Sequence, residues 1–183
     1  MDSNPSQKSW NVLCWNIRRI NAEVKWDSIR NKILESKCDI VSIKETKRET
    51  FDPSYIKKFC PTCFHGFCFL PLAGASGGIL VAWKSSVFSR AQIFQNSFAL
   101  LVEFTYVWSN DSWILTSVYG PCDSLGKETF MNWFENIEMP DDVSWLILGD
   151  INMYRRPKNR NKSGANFVDM LLFNNVISAL GIV

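Results

Sequence analysis

Two carboxylates and three hydrogen-bond donors stand just beyond stretches that read as β-strands. Asn16 follows Trp10–Trp15, Glu45 follows Ile40–Ile43, Tyr119 follows Ser112–Val118, and Asp150 with Asn152 follows Ser144–Leu148. These are the residue types that phosphodiester hydrolysis requires. A hard divalent cation takes carboxylate oxygen, which Glu45 can supply. The attacking water needs a base, a role open to Asp150. A phosphate gaining charge needs donors aimed at its oxygens, and Asn16, Asn152 and the Tyr119 hydroxyl qualify. The metal would neutralise charge on the attacking or leaving oxygen. Taken singly, each is the polar residue that any turn carries. The set acquires meaning if the four strand ends meet, because in α/β folds the residues past the carboxyl ends of strands tend to line one crevice.

The elements that must position them alternate short apolar runs with amphipathic stretches. Trp26, Ile29, Ile33 and Leu34 recur at helical spacing over Val24–Ser36. A brief helix is expected over Tyr55–Phe59 after a polar turn at Asp52-Pro53. Strand-like runs follow at Cys63–Leu70, Gly78–Trp83, Ala91–Gln95, Phe98–Val107 and Ser112–Val118, the last two joined as a hairpin through Ser109-Asn-Asp111. Lys127–Ile137 and Asn166–Val176 read as helices, the first covering a sheet. Strands mixed with helices argue a layered α/β sandwich, with a flexible tail over residues 1–9 and one domain over 10–183. The apolar run Val176–Val183 is expected to continue into a core, so that the domain reads as cut short at its C-terminal end.

Composition sets the class. At 183 residues with 46% hydrophobic and 21% charged, the chain can build one core and is no disordered segment. A net charge of +2 is too small to argue for nucleic acid, so any basic footprint must be local. One local cluster exists: Tyr154–Lys162 carries Arg155, Arg156, Lys158, Arg160 and Lys162 immediately after the Asp150/Asn152 segment, where it could grip phosphates or simply be a solvated loop. No run is long and apolar enough to cross a membrane, and the polar start has no secretory character, which leads us to expect an intracellular protein. Six cysteines would then be reduced. Cys60, Cys63, His65 and Cys68 have metal-like spacing, but an alternating strand would point them apart, and a cysteine-rich strand and turn is the better reading.

Taken in order, Trp15-Asn-Ile-Arg18, Lys44-Glu-Thr-Lys47, Ser76-Gly-Gly78 with Trp83, Val118-Tyr-Gly-Pro121 and Leu148-Gly-Asp-Ile-Asn152 resemble the endonuclease/exonuclease/phosphatase superfamily. Arg18, the Glu-Thr-Lys triplet and the Gly-Gly segment are most similar to plant LINE-type retrotransposon endonucleases, relatives of the abasic-site endonucleases. The resemblance runs from Trp10 onward. It implies two mixed β-sheets packed as a sandwich flanked by helices, with the last strands missing. It implies Mg²⁺ (Mn²⁺ as the alternative) held by Glu45 with Asn16 beside it, a phosphate-contacting Tyr119, Asp150 acting on the attacking water, and Asn152 at the scissile phosphate. Arg18 with Arg155, Arg156, Lys158 and Arg160 would contact nucleic acid. The reaction implied is nicking of DNA to expose a 3′-hydroxyl primer, in the nucleus if the target is chromosomal, with no obligate protein partner.

Three positions depart from the family's pattern: Lys44 stands where glutamine is usual, Arg19 where glycine is common and Ile151 where phenylalanine is common. Lys44 would place a cation one residue from the metal ligand. The family also ends its site with a late Asp and a Ser-Asp-His segment, whereas the one histidine here is His65. Loss of such a donor typically lowers rate about 10²–10³-fold, so little or no nuclease activity is expected. The other readings are a non-catalytic nucleic-acid-binding remnant using the basic loop with Arg18, Arg19 and Lys47, a small zinc module around Cys60 and Cys68, and a superfamily member acting on a small phosphate ester.

Overall fold

Alternation along the eight described strands, broken by one register shift between Arg90 and Gln92, sends side chains to two faces, and the strands form two sheets. The computed structural model describes residues 9–73, 76–138, 142–159 and 166–182. The expected tail therefore lies, except for Ser9, outside the described residues. The first sheet holds β1 (Val12–Asn16), β2 (Ile40–Lys44), β3 (Gly66–Ala73) and β4 (Ser76–Trp83) in the order β1-β2-β4-β3. The second holds β5 (Phe88–Gln95), β6 (Ala99–Tyr106), β7 (Ser112–Tyr119) and β8 (Ser144–Asp150) in sequence order. Each sheet is mixed: β1 with β2 and β7 with β8 run parallel, and the remaining pairs run antiparallel. The sheets stack with β1 against β8, β4 against β7 and β3 against β6.

The helices cover the outer faces, giving the α/β sandwich expected from the sequence. α1 (Glu23–Ser36) and α2 (Pro53–Ile56) close the first sheet over Ile29, Ile33, Val41, Ile43, Ile56 and Phe59. α3 (Ser124–Glu135) and α4 (Phe167–Ala179) close the second over Val118, Phe130, Phe134, Phe173 and Ile177. Asp52-Pro53, expected as a turn, starts α2. The Asp52 carboxylate accepts the Tyr55 N–H at 3.0 Å and Pro53 occupies the first turn, where its missing N–H costs nothing. The apolar run from Val176 continues α4 to Ala179 and buries Val176 and Ile177 against the second sheet, in the core where the sequence placed it.

Between the sheets the end remote from the candidate site is aromatic. Phe88 and Phe104 are fully buried, with Trp113 5.9 Å from the Phe88 centroid and 5.3 Å from that of Phe104. Trp10 stacks on Trp113 at 5.4 Å and so pins the approach to β1. The cysteine cluster is split by this layering: Cys60 is buried under the helices, Cys68 on the inter-sheet side, while Cys63 is exposed. Among the described residues no three metal-binding side chains converge. Replacing Phe88 by Ala should cost about 3–5 kcal/mol, read from the urea midpoint at constant slope. A cost below about 1 kcal/mol would contradict this packing.

Candidate active site

The register of the parallel pairs decides which residues share an end. Asn16 lies opposite Lys44, and Tyr119 opposite Asp150, so the carboxyl ends of β1, β2, β7 and β8 emerge together. There the Asn16 side-chain amide donates to Glu45 Oε1 at 2.7 Å and to Asp150 Oδ2 at 3.2 Å, joining the two sheets across a separation of 134 residues in sequence. The Asn152 backbone N–H donates to the other Asp150 oxygen at 3.2 Å. Tyr119 lies beside Glu45, whose negative charge acts on its hydroxyl. Asn16, Glu45, Tyr119, Asp150 and Asn152 thus form one cluster.

Two of these residues make further contacts. Asn16 turns its amide nitrogen toward both carboxylates while its oxygen accepts the Arg18 N–H at 3.4 Å, so it bridges Glu45 and Asp150. Asn152 spends one amide hydrogen on the Gly120 carbonyl at 2.6 Å, tying the segment after β8 to that after β7. Arg155 is exposed, but its guanidinium donates to Asn174 on α4 at 3.1 Å. Arg18, Arg156 and Lys158 are exposed. Arg160 and Lys162 lie outside the described residues. His65 precedes β3, whose first residue Gly66 pairs with Trp83 at the end of the sheet opposite the site.

The site is held by backbone in a conformation that L-residues rarely adopt. Arg18, Glu45, Lys47 and Asn152 have φ between 52° and 56°, and Arg19 has φ 111°. Such outliers cluster where structure over-determines the chain, often at functional sites. Here the restraint is visible. Arg19 N–H donates to Glu45 O at 2.7 Å and Ile20 N–H to Thr46 O at 3.1 Å, so the two loops pair beyond their strands. Thr46 and Lys47 N–H donate to Gly78 O and Gly77 O at 3.2 and 3.3 Å. Gly78 (φ 85°) is required there, because a Cβ would lie 2.4 Å from Thr46 Oγ1. The Gly-Gly segment noticed in the sequence is the seat on which the Glu45 turn rests.

Lys44 is the main feature that the sequence did not place. In β2, Ile40, Ser42 and Lys44 alternate with Val41 and Ile43, so Lys44 turns between the sheets while Glu45 turns outward to the site. Lys44 is 1% exposed. Its ammonium donates to Cys14 Sγ at 2.7 Å and to Ser42 Oγ at 3.1 Å, and Ser42 Oγ meets Ser117 Oγ at 2.6 Å. Burial lowers its pKa, with Cys14 and Asp150 opposing. The Tyr119 hydroxyl is pushed up to about 12, chiefly by burial and then by the negative charge of Glu45. It stays protonated, and able to donate, at any physiological pH.

Glu45 and Asp150, held on either side of one amide nitrogen, supply hard oxygen donors of the kind that Mg²⁺ accepts when water and phosphate complete its shell. Comparison with known proteins bears on the fold. No protein-family model matches the chain, and no curated protein does. Solved structures do. An AP endonuclease from Leishmania major is 12% identical, with a TM-score of 0.66 over 93% of this chain and 66% of that one. An AP endonuclease from Archaeoglobus fulgidus is 16% identical, with a TM-score of 0.64 over 93% and 70%. D. rerio TDP2 complexed with single strand DNA product is 14% identical, with a TM-score of 0.56 over 79% and 61%. The chain therefore has the fold of the AP endonucleases and their structural relatives, and spans about two thirds of the length of these structures.

Two outcomes follow for the buried groups. Lys44→Met should stabilise the protein by about 1 kcal/mol, raising Tm roughly 2–4 °C, because it removes a buried ammonium whose desolvation outweighs its attraction to Cys14 and Asp150. A fall in Tm would show that the ammonium holds this layer together. The Tyr119 pKa is raised, so its stabilising contribution is complete below pH 10.0 and lost as pH rises through about 12. Ultraviolet titration should show one tyrosine ionising near pH 12, moved back toward 10.0 by Glu45→Gln.

Proposed function

We propose that this chain is a Mg²⁺-dependent DNA endonuclease domain of the retrotransposon type, hydrolysing a phosphodiester by attack of water. The observation that carries the reading is the amide bridge from Asn16 to Glu45 and Asp150, which gathers two carboxylates and a protonated tyrosine at the open end of the sandwich. Glu45 would hold Mg²⁺, or Mn²⁺ as a substitute, and the ion when bound supplies positive charge to the phosphate oxygens. Asp150, fixed by Asn16 and the Asn152 N–H, accepts the proton of the attacking water. Tyr119 donates to a phosphate oxygen, and Asn152, anchored on Gly120, presents its remaining amide hydrogen to the same group. Arg18, Arg156 and Lys158 add phosphate contacts at the rim, with Arg155 partly committed to Asn174. Two structures of this fold are AP endonucleases and a third holds a DNA product, which supports DNA as the substrate class. Acting on chromosomal DNA, the domain would work in the nucleus.

Nicking should be slow, because among the described residues no imidazole approaches the site. Supercoiled plasmid should be converted to the open circle only in Mg²⁺ or Mn²⁺, with Asp150→Asn and Glu45→Gln each reducing the rate at least about 10²-fold. In parallel, Mg²⁺ at about tenfold over its Kd should stabilise the wild type by roughly 1.4 kcal/mol, visible as a shift of several degrees that Glu45→Gln abolishes. A Mg²⁺ shift of the same size in Glu45→Gln would remove the metal assignment. Absence of both nicking and Mg²⁺ binding would sink the reading.

A further inference from the structure

Along α4 the chain places apolar residues on both faces. Met170, Phe173, Val176 and Ile177 point into the second sheet and are buried. At 3.6 residues per turn the opposite face carries Val168, Leu171, Leu172, Asn175 and Ala179, all exposed and none charged. A helix face that meets only water normally carries charge, and a helix that is apolar all round is normally covered. With Phe167 at the start of the helix, Val168, Leu171 and Leu172 are between 50% and 69% exposed. Side chains of this size then leave roughly 500 Å² of apolar surface on one helix, more than half of the ~800 Å² that each partner of a standard interface contributes.

The surroundings of the stripe say what covers it, because its two flanks differ in charge. On one flank lies α3, tied to α4 by the Lys127–Asp169 ion pair at 3.1 Å. Exposed Glu128 and Glu135 of α3 line a groove with Leu172 on that side. On the other flank stands exposed Arg155, whose guanidinium donates to Asn174 Oδ1 at 3.1 Å and whose carbonyl accepts the Asn174 amide at 3.0 Å. Rotation about a two-fold axis that runs along α4 exchanges the flanks, so the acidic side of one copy meets the basic side of the other. An axis across α4 would set like against like.

Asn175 fits the same axis. It lies within the uncharged stripe and has no hydrogen-bond partner among the described residues. Its amide is both donor and acceptor, so on a two-fold axis it pairs with its own copy. A single Asn in an otherwise apolar stripe fixes register between two paired helices.

We propose that α4 is the interface of a homodimer, in which two copies of this chain pair their α4 helices in parallel about a two-fold axis. Val168, Leu171 and Leu172 pack across the axis and Asn175 meets Asn175, while Glu128 and Glu135 of each copy face Arg155 of the other. Neither Glu45 nor Asp150 takes part, so the dimer stands or falls apart from the nuclease reading.

Sedimentation velocity from about 1 to 200 µM should show monomer passing to dimer, with the micromolar Kd of a small interface. Leu171→Glu sets two carboxylates against each other across the axis and should weaken association at least about 10-fold. Its Tm should stay within about 2 °C of the wild type, because residue 171 is exposed. Val168→Cys and Asn175→Cys, tested singly under mild oxidation, should each form a covalent dimer above the background set by the wild type's exposed Cys14, Cys63 and Cys122. An axis along α4 brings both positions within the roughly 4.4–6.8 Å Cα separation of a disulfide, whereas an axis across it brings at most one. A wild type that stays monomeric at the highest concentration overturns the dimer, and binding of that monomer to phosphatidylcholine vesicles would assign the stripe to lipid instead. A dimer that survives Leu171→Glu, or cross-linking at one cysteine position or neither, overturns the parallel α4 interface.

Discussion

The site depends on a polar layer buried between two sheets that are otherwise joined by aromatic packing. Ser42 on β2 and Ser117 on β7 meet hydroxyl to hydroxyl, and the Lys44 ammonium joins them to Cys14 on β1. A hydroxyl in such a place is costly unless partnered, and here the partners lie on opposite sheets, so the sheets can satisfy their polar groups in one registration only. That registration brings the end of β1 against the end of β8. The Asn16–Asp150 hydrogen bond is the next rung of the same ladder. Apolar packing alone tolerates small slips of one sheet over another; matched polar groups do not.

Above this layer the problem changes from burial to direction. Ordinary strand geometry would continue the alternation past Lys44 and send Glu45 to the helical face. Instead Glu45 takes φ 53°, and its turn is braced on both sides, by the loop after β1 and by the carbonyls of Gly77 and Gly78. A left-handed residue with a Cβ costs about 1–2 kcal/mol, and several occur together around this site. Such strain persists where neighbouring hydrogen bonds fix the backbone, and the result is two carboxylates close enough to share one amide.

Most of the architecture was legible because burial has a period. The strands from Ile40, Gly78, Ser112 and Ser144 and the helices over 24–36 and 127–137 appear in the sequence as alternation or as 3.6-residue spacing, and the layers follow from them. What escaped was conformational or three-dimensional. Nothing in Asp52-Pro53 distinguishes a turn from a helix start except its side-chain cap. Lys44 was read by chemical type as a cation near a carboxylate, although alternation with Ile40 and Ser42 already turned it inward. The side-chain roles of Asn16 and Asn152 depend on which amide atom faces which neighbour, and that is decided by residues more than a hundred positions away for one and about thirty for the other.

The same layering grades the polarity of the molecule in two directions. From Phe88 and Trp113 through Ser42 and Lys44 to Glu45, the inter-sheet space passes from apolar to polar to charged, so polarity increases along the strands. Across the strands it varies differently. The edge formed by β1 and β8 is followed by cationic segments, whereas the β3–β4 pair and the start of β6 turn apolar walls toward Tyr119. Tyr119 stands where the two gradients cross. Its hydroxyl stays protonated because it is buried beside negative charge, while its ring forms a wall of a cleft beside the site. Tyr119 therefore joins the polar cluster and the wall of the cleft in one side chain.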